Sequence, residues 1–124
     1  MIVGMGIDIV KVERFKKWVE NPNLASRFFH PTELSVLEKE TSQACQSLAV
    51  RFACKEAFGK ALGSGLRGLQ LKDICVKQNA LGKPELCLYK SAKELFDKSG
   101  ANSIHISLSH ETEYSIACVI LESK

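Results

Sequence analysis

Two carboxylates and one lysine stand among apolar neighbours in this sequence. Asp8 lies between Ile7 and Ile9, and Glu56 and Lys60 form an i, i+4 pair on a predicted helical stripe rich in alanine and phenylalanine. Removing a carboxylate from water is costly unless the group is paired or bound to a metal. Two such carboxylates beside a lysine suit Mg²⁺, which accepts one or two carboxylates and takes its other oxygens from water and substrate phosphates.

More ordinary roles are open to each of these residues. Asp8 by itself would more often be a strand-end residue that caps a helix starting near Lys11. An exposed Glu56–Lys60 pair would be a helix salt bridge worth about 0.3–0.5 kcal/mol. Such a pair usually has polar neighbours, whereas this one shares its stripe with Phe52 and several alanines. The stripe therefore favours a buried Glu56 carboxylate beside a lysine over a surface salt bridge.

His110 is a further candidate. It follows the alternating segment 104–109 at the end of a predicted strand, a place where binding groups are often presented. A lone histidine is more often structural or merely exposed, so its role depends on the partners that the fold brings to it. His105 has the opposite strand parity and is assigned no role.

The first half of the chain must position the two carboxylates. Residues 2–10 are apolar at both parities, which predicts a strand buried on both faces. Residues 11–20 predict an amphipathic helix that buries Val12, Phe15 and Val19. A second helix is predicted to begin after His30-Pro31, with Thr32 as a possible N-cap. Residues 42–62 form the longest helical pattern and end at the glycine-rich stretch 63–68.

The second half of the chain reads mainly as hairpins. Residues 69–77 and 84–89 predict two strands joined across the turn-rich segment 79–84. A short helix over 91–99 precedes a second hairpin, whose strands are expected around 104–108 and 114–121. This order predicts an α+β fold with an antiparallel sheet packed on a long central helix.

Composition limits the class of protein. The 124 residues are 45% hydrophobic and 25% charged, the balance of an ordinary soluble globular protein, and a single domain over 1–124 is expected. No run approaches the ~18 uncharged apolar residues of a membrane span, and the N-terminus lacks the basic leader of a signal peptide. Five cysteines without a C-x-x-C pair predict neither a disulfide framework nor a cysteine zinc site. We therefore expect a cytoplasmic protein with reduced cysteines.

The positive charge is concentrated near the N-terminus. The net charge of +3 is too small for an obvious nucleic-acid-binding protein. Between Lys11 and Arg27, five bases and two acids give a local sum of +3, so the remaining segments sum to zero. Lys11, Arg14 and Lys17 recur at i, i+3 on one predicted helical face, which favours docking of an acidic partner over a merely solvated face.

Three motifs occur in order along the chain. They are Gly6-Ile-Asp8, Phe52-Ala-Cys-Lys-Glu-Ala-Phe-Gly-Lys60 and Ser107-Leu-Ser-His110. Together with Gly82-Lys-Pro84 in the predicted hairpin loop, they resemble the successive signatures of the bacterial holo-acyl-carrier-protein synthases, which are small 4'-phosphopantetheinyl transferases. A lone G-x-D would carry no information, whereas F-x-x-K-E-A-x-x-K followed by S-x-S-H is a specific combination. The resemblance covers nearly the whole chain at the length of the family.

The resemblance implies an activity and partners. The enzyme would move the 4'-phosphopantetheine arm of coenzyme A to a serine of apo-acyl carrier protein and release adenosine 3',5'-bisphosphate, in fatty acid biosynthesis. Small members of the family are homotrimers with each coenzyme A site at a subunit interface, so the same assembly is expected here. Neither a nucleic acid nor a membrane is expected as a partner.

The resemblance also implies roles for individual residues. Asp8 and Glu56 would be the protein ligands of Mg²⁺, and Lys60 would lie beside the phosphates. His110 would bond a pyrophosphate oxygen. The family pattern leaves the base that deprotonates the serine open, and Glu56, directly or through a metal-bound water, is our candidate. The implied contacts with coenzyme A are made by Gly82, Lys83, Pro84 and Ser109. The implied contacts with the carrier protein are made by Arg14, together with Lys11 and Lys17.

Two other functions compete with this hypothesis. A binding module for an acidic partner or a nucleic acid would use the basic helix without any metal, but the chain lacks the alternation of aromatic and basic residues typical of nucleic-acid platforms. A coenzyme A-dependent acyltransferase would leave the pyrophosphate intact and would have little use for a pair of metal-binding carboxylates. Only the transferase adds the mass of phosphopantetheine to a carrier protein.

Overall fold

The chain folds into two antiparallel sheets and one long helix that packs on the larger sheet. The structure, a computed structural model, describes residues 1–124. The regular elements in chain order are β1 (Ile2–Lys11), α1 (Lys16–Glu20), α2 (Pro22–Ala25), α3 (Thr41–Leu62), β2 (Ile74–Gln78), β3 (Pro84–Leu88), α4 (Lys90–Lys98), β4 (Ser103–His110) and β5 (Tyr114–Glu122). The larger sheet has the order β1-β5-β4, and β2 pairs with β3 in the smaller one. The predicted α+β class, with an antiparallel sheet on a long central helix, is confirmed.

The core lies between α3 and the inner face of the larger sheet. Leu48 of α3 and Val119 and Leu121 of β5 are fully buried there. On the same face β1 presents Gly4 and Gly6, and a Cβ atom at either position would overlap a backbone carbonyl oxygen of α3. The two glycines therefore allow the helix to rest directly on the backbone of β1.

The prediction that β1 is buried on both faces is wrong. Met5, Ile7 and Ile9 are 65%, 56% and 60% exposed, and Ile116 beside them on β5 is 37% exposed. β1 is an edge strand, and no element of the chain covers this outer sheet face. Apolar residues at both parities indicate that both faces of a strand tend to be buried. In this chain, other elements pack against only one face of β1.

The segment 11–20 is not one α-helix. Val12–Phe15 forms a 3₁₀ turn, and only α1 continues as an α-helix. Val12, Phe15 and Trp18 are buried, and Val19 is partly buried and packs against the same core. The spacing of three residues follows from the three residues per turn of a 3₁₀ helix.

The second predicted helix begins as expected but with different capping. Pro31–Glu38 is a 3₁₀ helix whose N-cap is His30, and its ring Nδ1 accepts the N–H of Thr32 at 3.1 Å. Glu33 accepts the N–H of His30 at 2.9 Å and completes a capping box. Thr32 is therefore not the N-cap, because Pro31 takes the first helical position and moves the cap back to His30.

The two predicted hairpins are present. β2 pairs with β3 in a register that sets Cys75 opposite Cys87, and β4 pairs with β5. The first strand is shorter than predicted, since Leu71–Asp73 is a 3₁₀ turn. All five cysteines are free in this structure. None of the helices combines the length and the apolar character that crossing a membrane requires.

Candidate active site

Asp8, Glu56 and Lys60 come together where α3 crosses β1. The Lys60 ammonium donates to the Ile7 carbonyl at 2.9 Å and lies 3.2 Å from the Asp8 carboxylate. The Asp8 side chain is only 17% exposed, and Glu56, one turn before Lys60 on α3, is partly buried. These three side chains are called the carboxylate cluster below.

The spacing of Gly6 and Asp8 explains how the cluster forms. Residues two apart in a strand lie on the same face, so Asp8 follows Gly6 on the inner face of β1. Because Gly6 lets α3 approach the strand backbone, the side chain of Asp8 meets the helix at the turn that carries Glu56 and Lys60. A larger residue at position 6 would push the helix away and separate the carboxylates.

The electrostatics of the cluster favour a cation. Burial raises the pKa of Glu56 above its usual value, the nearby charge of Asp8 raises it further, and Arg14 and Lys60 oppose this shift. Two carboxylates that repel each other are stabilised by a bound cation, and their hard oxygen atoms suit Mg²⁺. No other carboxylate, histidine or cysteine joins them in a group of three. The donor set therefore fits an ion that takes its remaining ligands from water and substrate oxygens.

We expect Glu56→Gln to unfold at the same temperature as the unaltered protein or at a higher one at pH 7. A carboxyl whose pKa is raised by folding makes the folded state less stable as pH rises from the unfolded pKa to the folded one, because the folded form holds its proton longer. The ionised Glu56 therefore destabilises the fold at pH 7, and glutamine removes that cost.

Calorimetric melting at pH 7 and pH 4 measures this effect. The difference between the two proteins should shrink at pH 4, where the Glu56 carboxyl is increasingly protonated in both states. Glu38→Gln, which removes an exposed carboxylate, is the control. A Glu56→Gln variant that melts well below the unaltered protein at pH 7 would show that the carboxylate stabilises the fold.

Arg14 borders the carboxylate cluster. Its guanidinium carbon lies 4.9 Å from the ring centroid of Phe52 and 5.6 Å from that of Phe15. Phe52 is one turn before Glu56, and the charge of Arg14 acts on the Glu56 carboxyl. Aromatic rings hold a guanidinium by cation–π attraction, so Arg14 stands beside the cluster.

The predicted docking residues share one surface. Lys11, Arg14 and Lys17 line a single shallow concavity together with Lys16 and two acids, Glu13 and Glu20, so that four bases outnumber two acids there. This basic surface therefore begins at Arg14, next to Glu56, and extends over the 3₁₀ turn and α1. A partner bound there would lie against the carboxylate cluster.

His110 lies away from the cluster. Along the sheet, His110 pairs with Ser115, which pairs with Val10 of β1, so two strand spacings, about 10 Å, separate His110 from β1. His110 lines a groove of about 450 Å³ together with Pro84 and Arg51. Arg51 precedes Glu56 by five residues and therefore points about 140° away from it around α3. Within one chain, the structure does not bring His110 to the carboxylate cluster.

The remaining predicted residues occupy different places. Pro84 opens β3 and lines both the His110 groove and a second cavity on the side of His105, and Lys83 lines only the second one. Gly82 is exposed in the β2–β3 turn, where the Asn79 side chain accepts the N–H of Lys83 at 3.0 Å. Ser109 is exposed on the face of β4 opposite to that of His110.

Two features of the His110 groove were missed from sequence. Arg51 and Lys39 both line it and give it positive charge. A signal was present for Arg51, since it is the only charged residue in the stretch 41–54. Lys39 lies just before α3 in a run of charged residues and carried no such signal.

Comparisons with known proteins agree on one family. Residues 4–119 match the model of the 4'-phosphopantetheinyl transferase superfamily. A holo-[acyl-carrier-protein] synthase of Treponema denticola is 49% identical over 122 residues, covering 98% of this chain and 99% of the relative. The crystal structure of the Neisseria meningitidis synthase superposes with a TM-score of 0.88 at 33% identity, covering 99% of this chain and 100% of that chain. The Bacillus anthracis synthase in complex with CoA (3',5'-ADP) gives 0.83 at 32% identity, covering 100% and 99%.

Proposed function

Since the chain belongs to the holo-[acyl-carrier-protein] synthase family of 4'-phosphopantetheinyl transferases, we propose that it moves the 4'-phosphopantetheine group of coenzyme A to a serine of apo-acyl carrier protein. Adenosine 3',5'-bisphosphate is the second product, and Mg²⁺ is the required ion. The observation that carries the proposal is the carboxylate cluster, because the glycine-lined crossing of β1 and α3 sets Asp8, Glu56 and Lys60 together.

The reaction is a phosphoryl transfer in which positioning and charge stabilisation dominate. The serine oxygen forms a bond to the β-phosphorus, the bond from that phosphorus to the bridging oxygen breaks, and the serine proton passes to a base. Asp8 and Glu56 would hold Mg²⁺, which neutralises pyrophosphate charge when bound. Lys60 supplies a mobile positive charge for the leaving phosphate. Glu56 is our candidate for the base, since it lies next to Arg14 at the edge of the basic surface.

The His110 groove suits the nucleotide part of coenzyme A. Pro84 provides an apolar wall, while Arg51, Lys39 and His110 provide donors for phosphate oxygens. Gly82 and Lys83 lie in the turn that ends at Pro84 and would extend the groove on the side that contacts the adenine of coenzyme A. Ser109 faces away from this groove, so any contact it makes with coenzyme A requires a second copy of the chain.

We propose a homotrimer whose active sites lie between subunits. The carboxylate cluster and the His110 groove lie apart on α3, since Arg51 of the groove points about 140° away from Glu56, and the groove of a neighbouring copy would therefore complete the site. The apolar outer sheet face of Met5, Ile7, Ile9 and Ile116 has no cover within the chain and supplies a surface for association. The trimeric state itself follows from the family resemblance.

We also propose that residues 1–124 act as a single domain in the cytoplasm, in fatty acid biosynthesis. The five free cysteines accord with a reducing compartment. No nucleic acid is expected as a partner, because the net charge is only +3 and its excess lies in the short segment 11–27.

Incubation with coenzyme A, MgCl₂ and apo-carrier protein tests the proposed function. Mass spectrometry should show the carrier gaining the mass of phosphopantetheine, and chelation of the metal with EDTA should stop the gain. An acyl group transferred from acyl-coenzyme A without phosphopantetheine would indicate an acyltransferase. Binding of the carrier without any mass change would leave only a binding module.

We expect Lys17→Glu to weaken carrier binding about tenfold at low salt, because it changes the local charge by two units on a rim where each charge pair contributes about 1 kcal/mol. Lys17 is exposed on the basic surface and is not part of the carboxylate cluster, so the affinity for coenzyme A should not change. Calorimetry with each ligand at two salt concentrations measures both effects, and the loss should be smaller at high salt.

The matched control is Lys98→Glu, which makes the same charge change on α4. Equal losses of carrier affinity for the two variants would assign the effect to net charge rather than docking. Arg14→Glu should lose more than Lys17→Glu, because Arg14 also borders Glu56. Unchanged carrier affinity in Lys17→Glu would identify this surface as a solvated face.

A further inference from the structure

The motif that contains Glu56 and Lys60 also contains a lysine with no role in the proposed reaction. Lys55 is fully buried, whereas Lys60 is exposed. The Lys55 ammonium group lies within hydrogen-bonding distance of four acceptors from outside its own helix. They are the Glu33 carboxylate at 2.6 Å and the carbonyl oxygens of Ile74 at 2.7 Å, Leu71 at 3.0 Å and Phe28 at 3.1 Å.

Glu33 is equally well connected. Besides Lys55, its two carboxylate oxygens accept the backbone N–H of His30 at 2.9 Å and that of Val76 at 3.0 Å. The Nε atom of Arg51 lies 3.8 Å from the same carboxylate. The buried pair of Glu33 and Lys55 therefore joins three parts of the fold, namely α3, β2 and the 3₁₀ helix Pro31–Glu38.

Stability alone is a weak reason for such a pair. A buried ion pair seldom stabilises a fold more than a well-packed apolar pair of similar volume, because both ions lose their hydration. Burial indeed lowers the pKa of Lys55, and the Glu33 carboxylate opposes that shift. The pair does provide directional contacts on several sides of one ammonium group, which apolar side chains do not.

Those contacts fix the rotation of α3 at the residue before Glu56. A helix is stiff over a single turn, so holding Lys55 in one orientation also sets the direction of Glu56, about 100° further around the helix. The same pair holds β2 through Ile74 and Val76, and β2 leads into the turn that ends at Pro84. One buried contact therefore links the helix of the carboxylate cluster to the hairpin that borders the His110 groove.

We propose that Lys55 and Glu33 are positioning residues for phosphopantetheine transfer, which set the orientation of the α3 turn bearing Glu56 and Lys60 against the β2–β3 hairpin. The inference rests on the proposed function. It assigns neither residue any contact with substrate.

The test uses the double variant Glu33→Gln/Lys55→Met. Removing only Lys55 would leave a buried carboxylate without its cation and risks unfolding. The double variant removes both charges, retains side chains of similar size and keeps one of the two acceptor oxygens that Glu33 offers to the N–H groups of His30 and Val76. Lys93→Met, which breaks the exposed Lys93–Asp97 pair on α4, is the control.

Rates are measured well below the melting temperature of each variant, with the folded fraction taken from circular dichroism. We expect the kcat of the folded double variant to fall about tenfold to a hundredfold, because small misplacements of reacting groups have effects of this size. The Kd for apo-carrier protein, measured without coenzyme A, should remain within about twofold, since the basic surface is on other elements. Hydrogen exchange should be faster in the backbone around 52–60 and 74–76 of the double variant.

Each outcome decides between the alternatives. A kcat and an exchange pattern like those of Lys93→Met, in a folded double variant, would overturn the positioning role. A reduced kcat with equally weakened carrier binding would indicate general damage to the fold and also overturn it. If the unaltered protein transfers no phosphopantetheine, the proposed function fails, whatever the variants do.

Discussion

Asp8→Asn and Glu56→Gln are each expected to lower the rate of phosphopantetheine transfer by about a thousandfold at a fixed, moderate Mg²⁺ concentration, as removal of one group that stabilises transition-state charge often does. The two carboxylates are the only ones at the crossing of β1 and α3, so neutralising one leaves a single anionic ligand for the ion. Both substitutions preserve the shape of the side chain, and both variants should fold.

Initial rates across a Mg²⁺ titration measure this effect, with the product followed by mass spectrometry. Partial recovery at high Mg²⁺ would support a role in metal binding, since a weakened site still fills at higher concentration. Asp97→Asn, at an exposed carboxylate on α4, is the control and should retain its rate throughout. Near-normal rates of Asp8→Asn or Glu56→Gln across the titration would show that the altered residue is not a ligand.

Mixing two defective proteins should restore activity if the active site lies between subunits. His110→Ala damages the groove and leaves the carboxylate cluster intact. Glu56→Gln damages the cluster and leaves the groove intact. In a randomly mixed assembly, about one quarter of the sites combine an intact cluster from one copy with an intact groove from its neighbour. We expect coexpressed or reassembled mixtures to reach about that share of normal activity per site.

The control for this experiment is a mixture of Asp8→Asn with Glu56→Gln. Both substitutions damage the same half of the site, so no subunit in this mixture has an intact cluster to offer its neighbour. Activity in the first mixture no higher than the average of its two components would show that each site is built within one chain. Sedimentation of the mixtures reports whether the copies associate at all.

Local patterns in the sequence were enough to predict most elements and to select the candidate residues. Hydrophobic period and turn residues predicted α3, both hairpins and the α+β class, because these signals are local and each depends on a few adjacent residues. The unusual placement of Asp8 and Glu56 among apolar neighbours identified the cluster before any fold was known. The motifs identified the family, which the comparisons confirmed. The roles assigned to individual residues stay predictions.

Which of these residues meet depends on contacts between elements that are distant in the sequence. The outer face of β1 is exposed because no part of the chain returns to cover it, and apolar residues cannot reveal what covers them. His110 lies away from Glu56, a separation set by strand order rather than by any local pattern. Lys55 pairs with Glu33, which lies 22 residues earlier in the sequence, and no rule of local spacing predicts that contact. Periodicity fixes the face on which a side chain lies, whereas long-range packing decides what that face contacts.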